Sequence, residues 1–567
     1  MDKHEAAEAL ESFATLLELT EDNPFRARAY ANAARTLEGL DEPWDELARS
    51  GRIAEIKGFG KSLAAALKQL AETETFPELD ELRAKIPDGV FELLRIPGMG
   101  PKKARTLWQG LHITSLGQLE YVCRVNRLID LPGFGLKTQQ KFLEGIAFLR
   151  RAEGRHLRHH ALAAAIELEK TLRGLRGVEN VIFAGSLRRG METVGDLDVV
   201  VQAPLAEHAN LRRSIAKMLA VEDAEESRLL KGRTEEGFEV ELGFCDAATF
   251  ASTLLFATGS KGHLEQLASH AKNCGIELTE DNLKGRFSSE DDIYRALSLA
   301  PIPPELREGR GEIEKAASGS FPAAICVEDL RGVLHVHSNY SDGRATLREV
   351  AKAAQAHGFQ FVGIADHSQS AAYAGGLTPD RVKEQWREIE KVNAEIAPFR
   401  ILKGTEVDIL ADGFLDFDDE LLAGFDFVIA SIHSGFRMTK EAATERLCRA
   451  LENPHVDILG HPTGRLLLAR DGYPVNTEAL IECASQHGKA IEMNCSPYRL
   501  DLDWRFLEMA QEASVPVPLC PDAHDVETLW DIYLGVQVAR KGPLSAKACP
   551  STWTADEFLA WTASHGR

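Results

Sequence analysis

Histidine and carboxylate residues that could bind metal ions stand at the ends of successive apolar runs in the second half of the chain. Each run is short and is bounded by helix-like sequence, a pattern typical of buried parallel strands. The carboxyl ends of such strands converge on one site in a barrel, and divalent cations clustered there can hydrolyse phosphate esters. The nine candidate ligands are His335, His337, Asp342, His367, Glu406, His433, His461, Asp522 and His524.

The spacing within two pairs of these ligands supports a common site. His335 and His337 stand two residues apart, as do Asp522 and His524. Because side chains alternate between the two faces of a strand, both members of each pair are expected to reach the same face. A single histidine at a strand end is more often structural than a ligand, so the prediction depends on the whole set. The predicted strands are residues 332–334, 361–364, 401–402, 427–430, 456–459 and 515–519.

Three glycine-containing turns recur in the helical first part of the chain, at residues 57–61, 96–103 and 131–137. The glycines permit a tight turn, and the amino-terminal amides of the next helix can then bind a DNA phosphate beside a lysine. One copy could equally be an ordinary corner between helices, but three copies, each followed by lysine, favour DNA binding. The candidate DNA-contacting residues are Gly58, Gly60, Lys61, Gly98, Gly100, Lys102, Lys103, Gly133, Gly135 and Lys137.

A second chemical pattern lies between the hairpins and the candidate metal ligands. Asp196 and Asp198 stand two apart on a predicted strand, so both carboxylates face the same side and can bridge two magnesium ions for phosphoryl transfer. The preceding Gly-Ser-x-Arg-Arg-Gly turn could bind a triphosphate through backbone amides, the Ser186 hydroxyl and the Arg189 guanidinium. A lone Asp-x-Asp is usually an exposed strand edge, but its combination with this turn favours nucleotidyl transfer.

Composition and charge are those of a multidomain globular protein. The chain has 567 residues, 27% of them charged and 44% hydrophobic, and this length predicts about 3–5 domains. Since the net charge is −22, any DNA-binding face must be local. Nine scattered cysteines without a Cys-x-x-Cys pair predict a reducing, cytoplasmic location. The polar start predicts no signal peptide, and no apolar run reaches the ~18–20 residues of a membrane span.

The two central motifs resemble those of a known family. The Gly-Ser-Leu-Arg-Arg-Gly and Gly-Asp-Leu-Asp segments are similar to the nucleotidyltransferase palm of family X DNA polymerases, and Thr258-Gly259-Ser260 resembles that family's nucleotide-binding turn. The hairpins resemble its DNA-binding and fingers regions. The carboxyl-terminal region resembles the polymerase and histidinol phosphatase (PHP) domain. This order covers nearly the whole chain and matches bacterial and archaeal family X polymerases that end in a PHP domain.

The resemblance implies a multidomain fold. It comprises an all-α helix-hairpin-helix amino-terminal region, an α+β nucleotidyltransferase palm with a helical or mixed thumb, and a carboxyl-terminal distorted (β/α)7 PHP barrel. The expected domains are a helix-hairpin-helix DNA-binding domain at 1–85, a helix-hairpin-helix fingers region at 86–152, the palm at 153–248, the thumb and linker at 249–318, and a PHP metal-dependent phosphoesterase domain at 328–567.

In the palm, the resemblance implies Mg²⁺ or Mn²⁺ at three catalytic carboxylates. Asp196 and Asp198 are two of them, and Glu241, in a Val-Glu-Leu-Gly strand, replaces the family's third aspartate. Further departures are Leu264, where the family has an asparagine, and Ala66, where animal relatives have the Schiff-base lysine. The implied nucleotide-binding residues are Gly185, Ser186, Arg189, Gly195, Thr258, Gly259 and Ser260.

In the PHP domain, the resemblance implies up to three Mn²⁺ or Zn²⁺ ions. The first would take His335, His337, Glu406 and Asp522, the second would share Glu406 and add His433 and His461, and the third would take Asp342, His367 and His524. Arg465 is a candidate contact for substrate phosphate, with an ordinary surface arginine as the equal alternative. Asn494 is a weaker candidate on the same rim.

Three functions are compatible with these patterns. The first is a monomeric DNA repair polymerase and 3′–5′ exonuclease that uses dNTPs and acts on gapped, nicked or primed duplex DNA. The second is a DNA-end-binding PHP nuclease or phosphoesterase whose palm is inactive. The third, a small-molecule phosphatase, leaves the hairpins unexplained and ranks last. The position of Glu241 discriminates the first two, because its carboxylate must reach the same metal as Asp196 and Asp198.

Overall fold

The computed structural model describes residues 1–20, 24–40, 42–56, 58–73, 75–124, 128, 133–152, 154–219, 221, 229–319, 321 and 323–565. Lys57, Leu131 and Pro132 of the hairpin motifs lie outside these residues. The chain forms two compact units, Met1–Glu153 and Gly154–Arg567. Within the described ranges, every helix is too short or too polar to span a bilayer.

The described residues of the first unit form helices and no strand, so the all-α prediction is confirmed. Leucines and alanines at helical spacing bury one face of each helix in a common core, where the Phe13 ring packs edge-on against Tyr30 and Phe76. Pro77 and Pro101 occupy first turns, where the missing N–H is tolerated. The helices are α1 (Lys3–Thr20), α2 (Pro24–Glu38), α3 (Trp44–Ser50), α4 (Lys61–Thr73), α5 (Pro77–Ala84), α6 (Asp88–Leu94), α7 (Pro101–Leu111), α8 (Leu116–Arg124) and α9 (Leu136–Ala152).

The second unit begins with the expected α+β palm. Its elements are β1 (His156–Leu157), α10 (Arg158–Arg173), β2 (Asn180–Phe183), α11 (Gly185–Arg188), β3 (Thr193–Val194), β4 (Asp196–Gln202), α12 (His208–Met218), β5 (Leu229–Arg233) and β6 (Glu239–Cys245). A four-stranded sheet has the order β2-β4-β6-β5, with β4 and β6 parallel and the other neighbours antiparallel. Leu197, Val199 and Val201 point into the palm core, which leaves Asp196 and Asp198 on the other face of β4.

A helical layer follows the palm. It consists of α13 (Phe250–Thr258), α14 (Lys261–Asn273), α15 (Glu280–Leu283), α16 (Glu290–Ala296) and α17 (Glu312–Ser318). At its centre the buried His263 ring lies between two polar partners, with Nδ1 2.7 Å from Glu312 Oε1 and Nε2 2.9 Å from the Tyr294 hydroxyl. Both ring nitrogens of this buried histidine therefore have polar partners. The helical elements agree with the expected thumb.

The remaining residues form the predicted barrel. Its elements are β7 (Gly332–Val336), α18 (Leu347–Ala356), β8 (Phe361–Ile364), α19 (Pro379–Ile396), β9 (Arg400–Asp408), α20 (Asp419–Leu422), β10 (Phe427–Ser431), α21 (Lys440–Leu451), β11 (Ile458–Leu459), α22 (Thr477–His487), β12 (Ala490–Ile491), β13 (Met493–Asn494), α23 (Leu507–Glu512), β14 (Leu519–Cys520), α24 (Asp531–Lys541) and α25 (Ala555–Ala563). Strands β7 to β12 form one parallel sheet, and β13 pairs with β14. Strands β12 and β13 are separated only by Glu492 and count as one strand of the ring. A bridge between Ala523, just beyond β14, and Val336 of β7 connects the last strand to the first. The ring therefore has the expected seven strands.

Two of the predicted strands are shorter in the structure. The run at 515–519 contributes only its last residue to β14, and the run at 456–459 only its second half to β11. Pro516 and Pro518 have no N–H to donate to a neighbouring strand. Their carbonyl oxygens still accept hydrogen bonds from the amides of Ile491 and Met493 at 3.1 and 2.9 Å, so the segment lies along the sheet without completing a ladder.

Candidate metal centre and nucleotidyl-transfer site

The predicted metal ligands lie where the barrel strands end, but the backbone that presents them is irregular. His335 (φ +59°) and Asp522 (φ +55°) are left-handed, and the β7–β8 ladder shifts register between Val333 and Val336. His335 and His337 reach the same site, as expected, but through this irregular backbone and not through the regular alternation of one strand. Such backbone strain costs about 1–3 kcal/mol per residue and is concentrated at functional sites, where surrounding contacts maintain it.

The Glu406 carboxylate lies at the centre of the cluster and is almost fully buried. Its Oε1 is 2.9 Å from His461 Nε2 and 3.1 Å from His433 Nε2. Its Oε2 is 3.0 Å from His367 Nδ1 and 3.4 Å from His335 Nε2. One carboxylate from β9 thus contacts imidazoles presented by four other strands, as expected for a bridging metal ligand.

Two further carboxylates extend the cluster toward solvent. Asp522 Oδ1 lies 3.2 Å from His337 Nε2. Asp342 Oδ2 lies 3.4 Å from His524 Nε2 and 3.6 Å from His367 Nε2. The exposed fraction rises from zero at His337 to 31% at Asp342 and 41% at His524, so the Asp342 side of the site is the open one.

The structure brings all nine predicted ligands together. Three groups offer ligand atoms within 4.8 Å of one another: His337, Asp342, His367 and His524; His335, His337 and Asp522; and His367, Glu406 and His433. His461 belongs to none of these three groups, but its Nε2 lies 2.9 Å from Glu406 Oε1. The grouping differs from the implied one: His337 and His367 each belong to two groups, and Glu406 belongs to only one. The His337 and His367 rings stack with their centroids 4.5 Å apart.

The donor atoms fit divalent cations. His335 Nε2, His337 Nδ1 and Glu406 Oε2 are buried and have polar neighbours at 3.0–3.8 Å, but none of these contacts within the described residues has the geometry of a hydrogen bond. A buried polar atom without a partner is costly, and metal coordination is a common way to satisfy it. The mixture of imidazole nitrogen and carboxylate oxygen suits first-row divalent metals.

The electrostatics of the cluster are equally typical of a metal site. Burial would raise the pKa of Glu406, but His433, His335 and His367 outweigh it and hold that pKa well below its usual value. Burial of His367 is outweighed by nearby carboxylates, which raise its pKa to about 10. Burial and neighbouring histidines lower the pKa of His337 to about 3. Charged and neutral imidazoles therefore lie side by side, and bound cations would replace the protons.

Two acidic residues that sequence reasoning missed orient the ligand imidazoles. His335 Nδ1 lies 2.6 Å from Glu492 Oε2, and His433 Nδ1 contacts the Asp408 carboxylate. Asn494, expected on the substrate rim, instead donates to Glu492 Oε1 at 3.0 Å. Such contacts fix which ring nitrogen faces the metal. The available signal was an acid within an apolar strand.

The arginine expected to contact substrate phosphate is engaged elsewhere. Arg465 Nε donates to the carbonyl oxygen of Arg499 at 2.9 Å, Nη1 donates to Asp503 at 2.7 Å, and Nη2 donates to the carbonyl oxygen of Leu500. Every guanidinium nitrogen therefore donates to the loop of residues 499–503, which argues against the phosphate contact. Arg499 itself is 22% exposed, with Nε 3.7 Å from Asp522 Oδ2, and is better placed on the rim.

The palm brings the three predicted carboxylates to one face. Asp198 on β4 and Glu241 on β6 are register partners, and Asp196 precedes Asp198 by two residues on the same face. Gly185 makes this arrangement possible: its φ is +53°, and a Cβ there would lie 1.7 Å from Asp198 Oδ2. The first glycine of the motif thus permits the close approach of its backbone to the carboxylate.

Mutual repulsion among the palm acids supports a cation site. Burial, followed by the charges of Asp196 and Glu241, raises the pKa of Asp198 to about 7. Burial and Glu241 also raise the pKa of Asp196. Glu241 forms an ion pair with Lys231 on β5, whose pKa is raised mainly by that hydrogen bond. Glu241 is therefore close to the other two acids and also has a competing protein partner.

The Gly-Ser-x-Arg-Arg-Gly turn contains one hydroxyl available to a ligand. Ser186 Oγ is buried and has no hydrogen-bond partner in the described part of the chain. Arg189, the predicted triphosphate ligand, donates from Nε to Glu308 Oε1 at 3.0 Å and from Nη1 to the carbonyl oxygen of Thr258 at 2.8 Å. This arginine is therefore held against the thumb.

The predicted nucleotide-binding turn uses its hydroxyls within the protein. Thr258 Oγ1 accepts from Arg188 Nη1 at 2.6 Å, and Ser260 Oγ accepts from the amide of His263 at 3.1 Å as the cap of α14. A Cβ on Gly259 would lie 2.9 Å from the Leu264 side chain. A nucleotide contact here would therefore come from the backbone. Gly195, by contrast, has open space around it: a Cβ added there would lie 3.9 Å from its nearest neighbour, the carbonyl oxygen of Gly154.

The three hairpin turns share one geometry. The first glycine of each has positive φ, +113° at Gly58, +83° at Gly98 and +85° at Gly133. The next residue is buried, and α4, α7 and α9 begin directly after the second glycine, at Gly60, Gly100 and Gly135. The space around these second glycines is open, so a phosphate could approach the start of each helix.

The predicted DNA-contacting lysines are not equivalent. Lys61, Lys102 and Lys137 are exposed beside the helix starts. Lys103 instead donates to the carbonyl oxygen of Gly98 at 3.2 Å and lies over the Phe142 ring, 5.7 Å from its centroid. Lys103 therefore also stabilises its own turn.

Comparisons with known proteins agree with this layout. Family models match at residues 1–76 (helix-hairpin-helix domain), 90–146 (SAM-like helix-hairpin-helix tandem), 253–308 (DNA polymerase beta thumb) and 334–496 (PHP domain). A Bacillus subtilis protein named DNA polymerase/3′-5′ exonuclease PolX is 37% identical over 553 residues, covering 96% of each chain. A probable phosphatase of Caldanaerobacter subterraneus is 32% identical over 182 residues, 30% of this chain and 65% of the relative. Another, of Syntrophotalea carbinolica, is 28% identical over 207 residues, 35% of this chain and 81% of the relative.

Proposed function

Because the chain belongs to the family of the DNA polymerase/3′-5′ exonuclease PolX, we propose that it acts in DNA repair, extending DNA ends in the palm and hydrolysing them in the PHP domain. The observation that carries this proposal is the presence of two separate acidic clusters on one compact unit. One lies on β4 and β6, and the other at the carboxyl ends of the barrel strands. The substrates would be gapped, nicked or primed duplex DNA and the dNTPs.

Hydrolysis would occur in the histidine-rich cluster. Up to three Mn²⁺ or Zn²⁺ ions, when bound there, would supply the Lewis acidity for phosphodiester cleavage. Glu492 and Asp408 orient the ligand imidazoles: their carboxylates accept hydrogen bonds from the ring nitrogens that face away from the centre. Arg499, at the open rim, is placed to bind the phosphate of the 3′-terminal nucleotide.

Nucleotidyl transfer would occur at the palm carboxylates. Mg²⁺ or Mn²⁺, when bound by Asp196, Asp198 and Glu241, would stabilise the charge that develops in phosphoryl transfer. Burial and the neighbouring acids together raise the pKa of Asp198, and a bound cation would offset both effects. Ser186 offers its unpartnered hydroxyl, and Arg189 its charge, to the triphosphate.

DNA would be gripped by its backbone rather than read by sequence. Each of the three hairpins leaves the start of a helix open to a phosphate, and the lysines beside them supply positive charge that the whole chain, at −22, lacks. Repair of gaps requires this kind of binding, because a gap can occur in any sequence.

A second candidate function is a PHP nuclease that uses an inactive palm to hold DNA ends. The observation that favours it is the ion pair between Glu241 and Lys231, which competes with metal for the third carboxylate. The extra methylene of glutamate adds to this concern, because a displacement of about 1 Å can lower a rate about 100-fold.

A labelled primer across a short gap, incubated with Mg²⁺ or Mn²⁺, separates these functions. Extension only when the four dNTPs are present would support synthesis in the palm, and shortening regardless of dNTPs would support the inactive-palm function. In the first case Glu241→Gln should abolish extension, because it removes the third charge, whereas Glu235→Gln, at an exposed position of the same domain, should not.

A further inference from the structure

A lysine from the carboxyl-terminal barrel is buried where the barrel meets the palm and the thumb. Lys541 is the last residue of α24, and its side chain is completely buried. Its Nζ donates to the carbonyl oxygens of Arg189 at 3.0 Å and Glu305 at 3.3 Å and to the carboxylate of Glu308. The Trp504 ring covers it, with the centroid 4.4 Å from Nζ. A buried ammonium is costly unless it is fully paired, and here three oxygens surround it.

The partners of Lys541 connect it to the nucleotide-binding arginine. Glu308 Oε1 also accepts from Arg189 Nε at 3.0 Å, and Arg189 Nη1 donates to the carbonyl oxygen of Thr258 at 2.8 Å. Lys541 therefore contacts Arg189 twice, directly at its backbone and through Glu308 at its guanidinium.

The charge balance of this triad determines what Arg189 can offer to a ligand. Glu308 is 14% exposed, as is Arg189, so the charges interact at low effective dielectric. With Lys541 present, Glu308 is shared by two cations, so Arg189 keeps more of its positive charge for a triphosphate. Without Lys541, Glu308 would neutralise Arg189 alone, and the backbone of the Gly-Ser-x-Arg-Arg-Gly turn would lose its donor.

Further polar contacts fix α24 against the palm and thumb. Arg158 Nη2 donates to Gln537 Oε1 at 2.7 Å, and Arg540 Nε donates to Glu305 Oε1 at 2.9 Å. Lys541 therefore stands at the end of a helix that is already anchored, and its position is well determined.

We propose that Lys541 is a positioning residue for nucleotidyl transfer: it holds Arg189 ready for the triphosphate of the incoming nucleotide, so that the phosphoesterase domain completes the nucleotide site of the palm. The inference rests on the proposed synthetic function of the palm. The PHP barrel would then contribute to synthesis independently of its own hydrolytic centre.

The test compares nucleotide dependence in Lys541→Met, which keeps the length of the side chain but removes its charge. We expect the KM for dNTP to rise about tenfold, the effect of losing one charge-assisted hydrogen bond, with a smaller change in kcat and an unchanged rate of primer hydrolysis. Lys547→Met, at an exposed position of the same domain, is the control. Equal losses of synthesis and hydrolysis would indicate a merely structural role, and an unchanged KM would overturn the proposal.

A second variant protects the test against misfolding. Glu308→Gln removes the acid that Lys541 and Arg189 share. Because this acid would neutralise Arg189 once Lys541 is lost, adding Glu308→Gln to Lys541→Met should lower the KM for dNTP again. The two changes act on one chain of contacts, so their effects should not add. Fully additive effects would contradict the connection.

Direct binding separates this inference from the proposed function. Titration of the full chain with mant-dATP and Mg²⁺ measures nucleotide affinity without catalysis. Weaker binding by Lys541→Met than by the wild type supports the inference even when no extension is seen, an outcome that would remove only the synthetic function. Equal affinities, or no binding by the wild type, would overturn the inference.

Discussion

Glu406 shows how one residue can organise a metal centre. Its two oxygens lie 2.9–3.4 Å from four imidazole nitrogens, and it is buried where an uncompensated charge would be strongly unfavourable. Its position at the end of a central barrel strand allows neighbours on both sides to reach it. This carboxylate should therefore be the ligand on which metal affinity depends most.

Substitution of Glu406 by glutamine tests that dependence without an activity assay. We expect Mn²⁺ to raise the unfolding temperature of the wild type, with a stabilisation of about 2.7 kcal/mol at 100 times the dissociation constant. Glu406→Gln should lose most of this gain because it removes the central charge. Calorimetry with added Mn²⁺ measures the effect, and His487→Asn, on an exposed residue at the end of α22, should retain the full gain. An unchanged response of Glu406→Gln would place the metal elsewhere.

The two arginines of the rim should respond differently to substitution. Arg499→Ala should raise the KM for primer hydrolysis about tenfold through loss of a charge-assisted phosphate contact, with little change in stability. Arg465→Ala should lower the free energy of unfolding by about 1–3 kcal/mol, because it leaves buried acceptors without donors. Steady-state kinetics and denaturant titration distinguish the two, and the reverse pattern would return the phosphate contact to Arg465.

At the scale of single residues, the sequence predicts the metal ligands better than the residues that orient them. The nine histidines and acids were identified by their positions at the ends of apolar runs, and the structure brings all nine together. Glu492 and Asp408 were missed because they orient ligands through contacts between strands distant in sequence. The choice between Arg465 and Arg499 depends on Asp503, whose carboxylate engages one of them. No pattern in the sequence reports that contact.

Among the elements, the hairpins are the most directly testable. Lys102→Ala should weaken binding of a gapped duplex and reduce the slope of log affinity against log salt by about 1, because one phosphate contact releases its counterion. Fluorescence anisotropy at several salt concentrations gives the slope. Lys85→Ala, exposed just after α5, is the matched control. Equal slopes for Lys102→Ala and the wild type would contradict DNA binding at this turn.

The turn that leads into α11 gives a second test at this scale. Gly185→Ala would place a Cβ 1.7 Å from Asp198 Oδ2, so the carboxylate or the turn must move. We expect loss of primer extension with hydrolysis retained. Gly237 also has positive φ, +90°, but open space around it, so Gly237→Ala reproduces the backbone strain without the clash and should keep extension. Normal extension by Gly185→Ala would mean that Asp198 is not catalytic.

Elements were predictable where a local pattern determines them. Apolar runs bounded by helices identify the barrel, and paired glycines identify the hairpins. The exact bounds of the strands were harder to predict. Pro516 and Pro518 lie in an apolar run whose pattern predicts a strand, but they have no N–H to donate to a neighbouring strand. The left-handed backbone at His335 and Asp522 was not predictable either, because it is imposed by packing at the mouth of the barrel.

For the whole molecule, we expect one chain to hold two independent reaction centres. The palm and the barrel share one compact unit, and Lys541 connects them structurally. Their acidic clusters nevertheless belong to different sheets, so a change in one set of ligands should leave the other intact. The hairpin unit would supply DNA binding to both.

The most direct measurement follows a labelled primer on a gapped template with Mn²⁺ and all four dNTPs, in the wild type and two variants. Asp198→Asn should abolish extension while shortening continues, and His337→Asn should abolish shortening while extension continues. Circular dichroism and thermal unfolding serve as controls for folding. Loss of both activities in either folded variant would contradict two independent centres, and shortening retained by His337→Asn would remove the barrel as the nuclease.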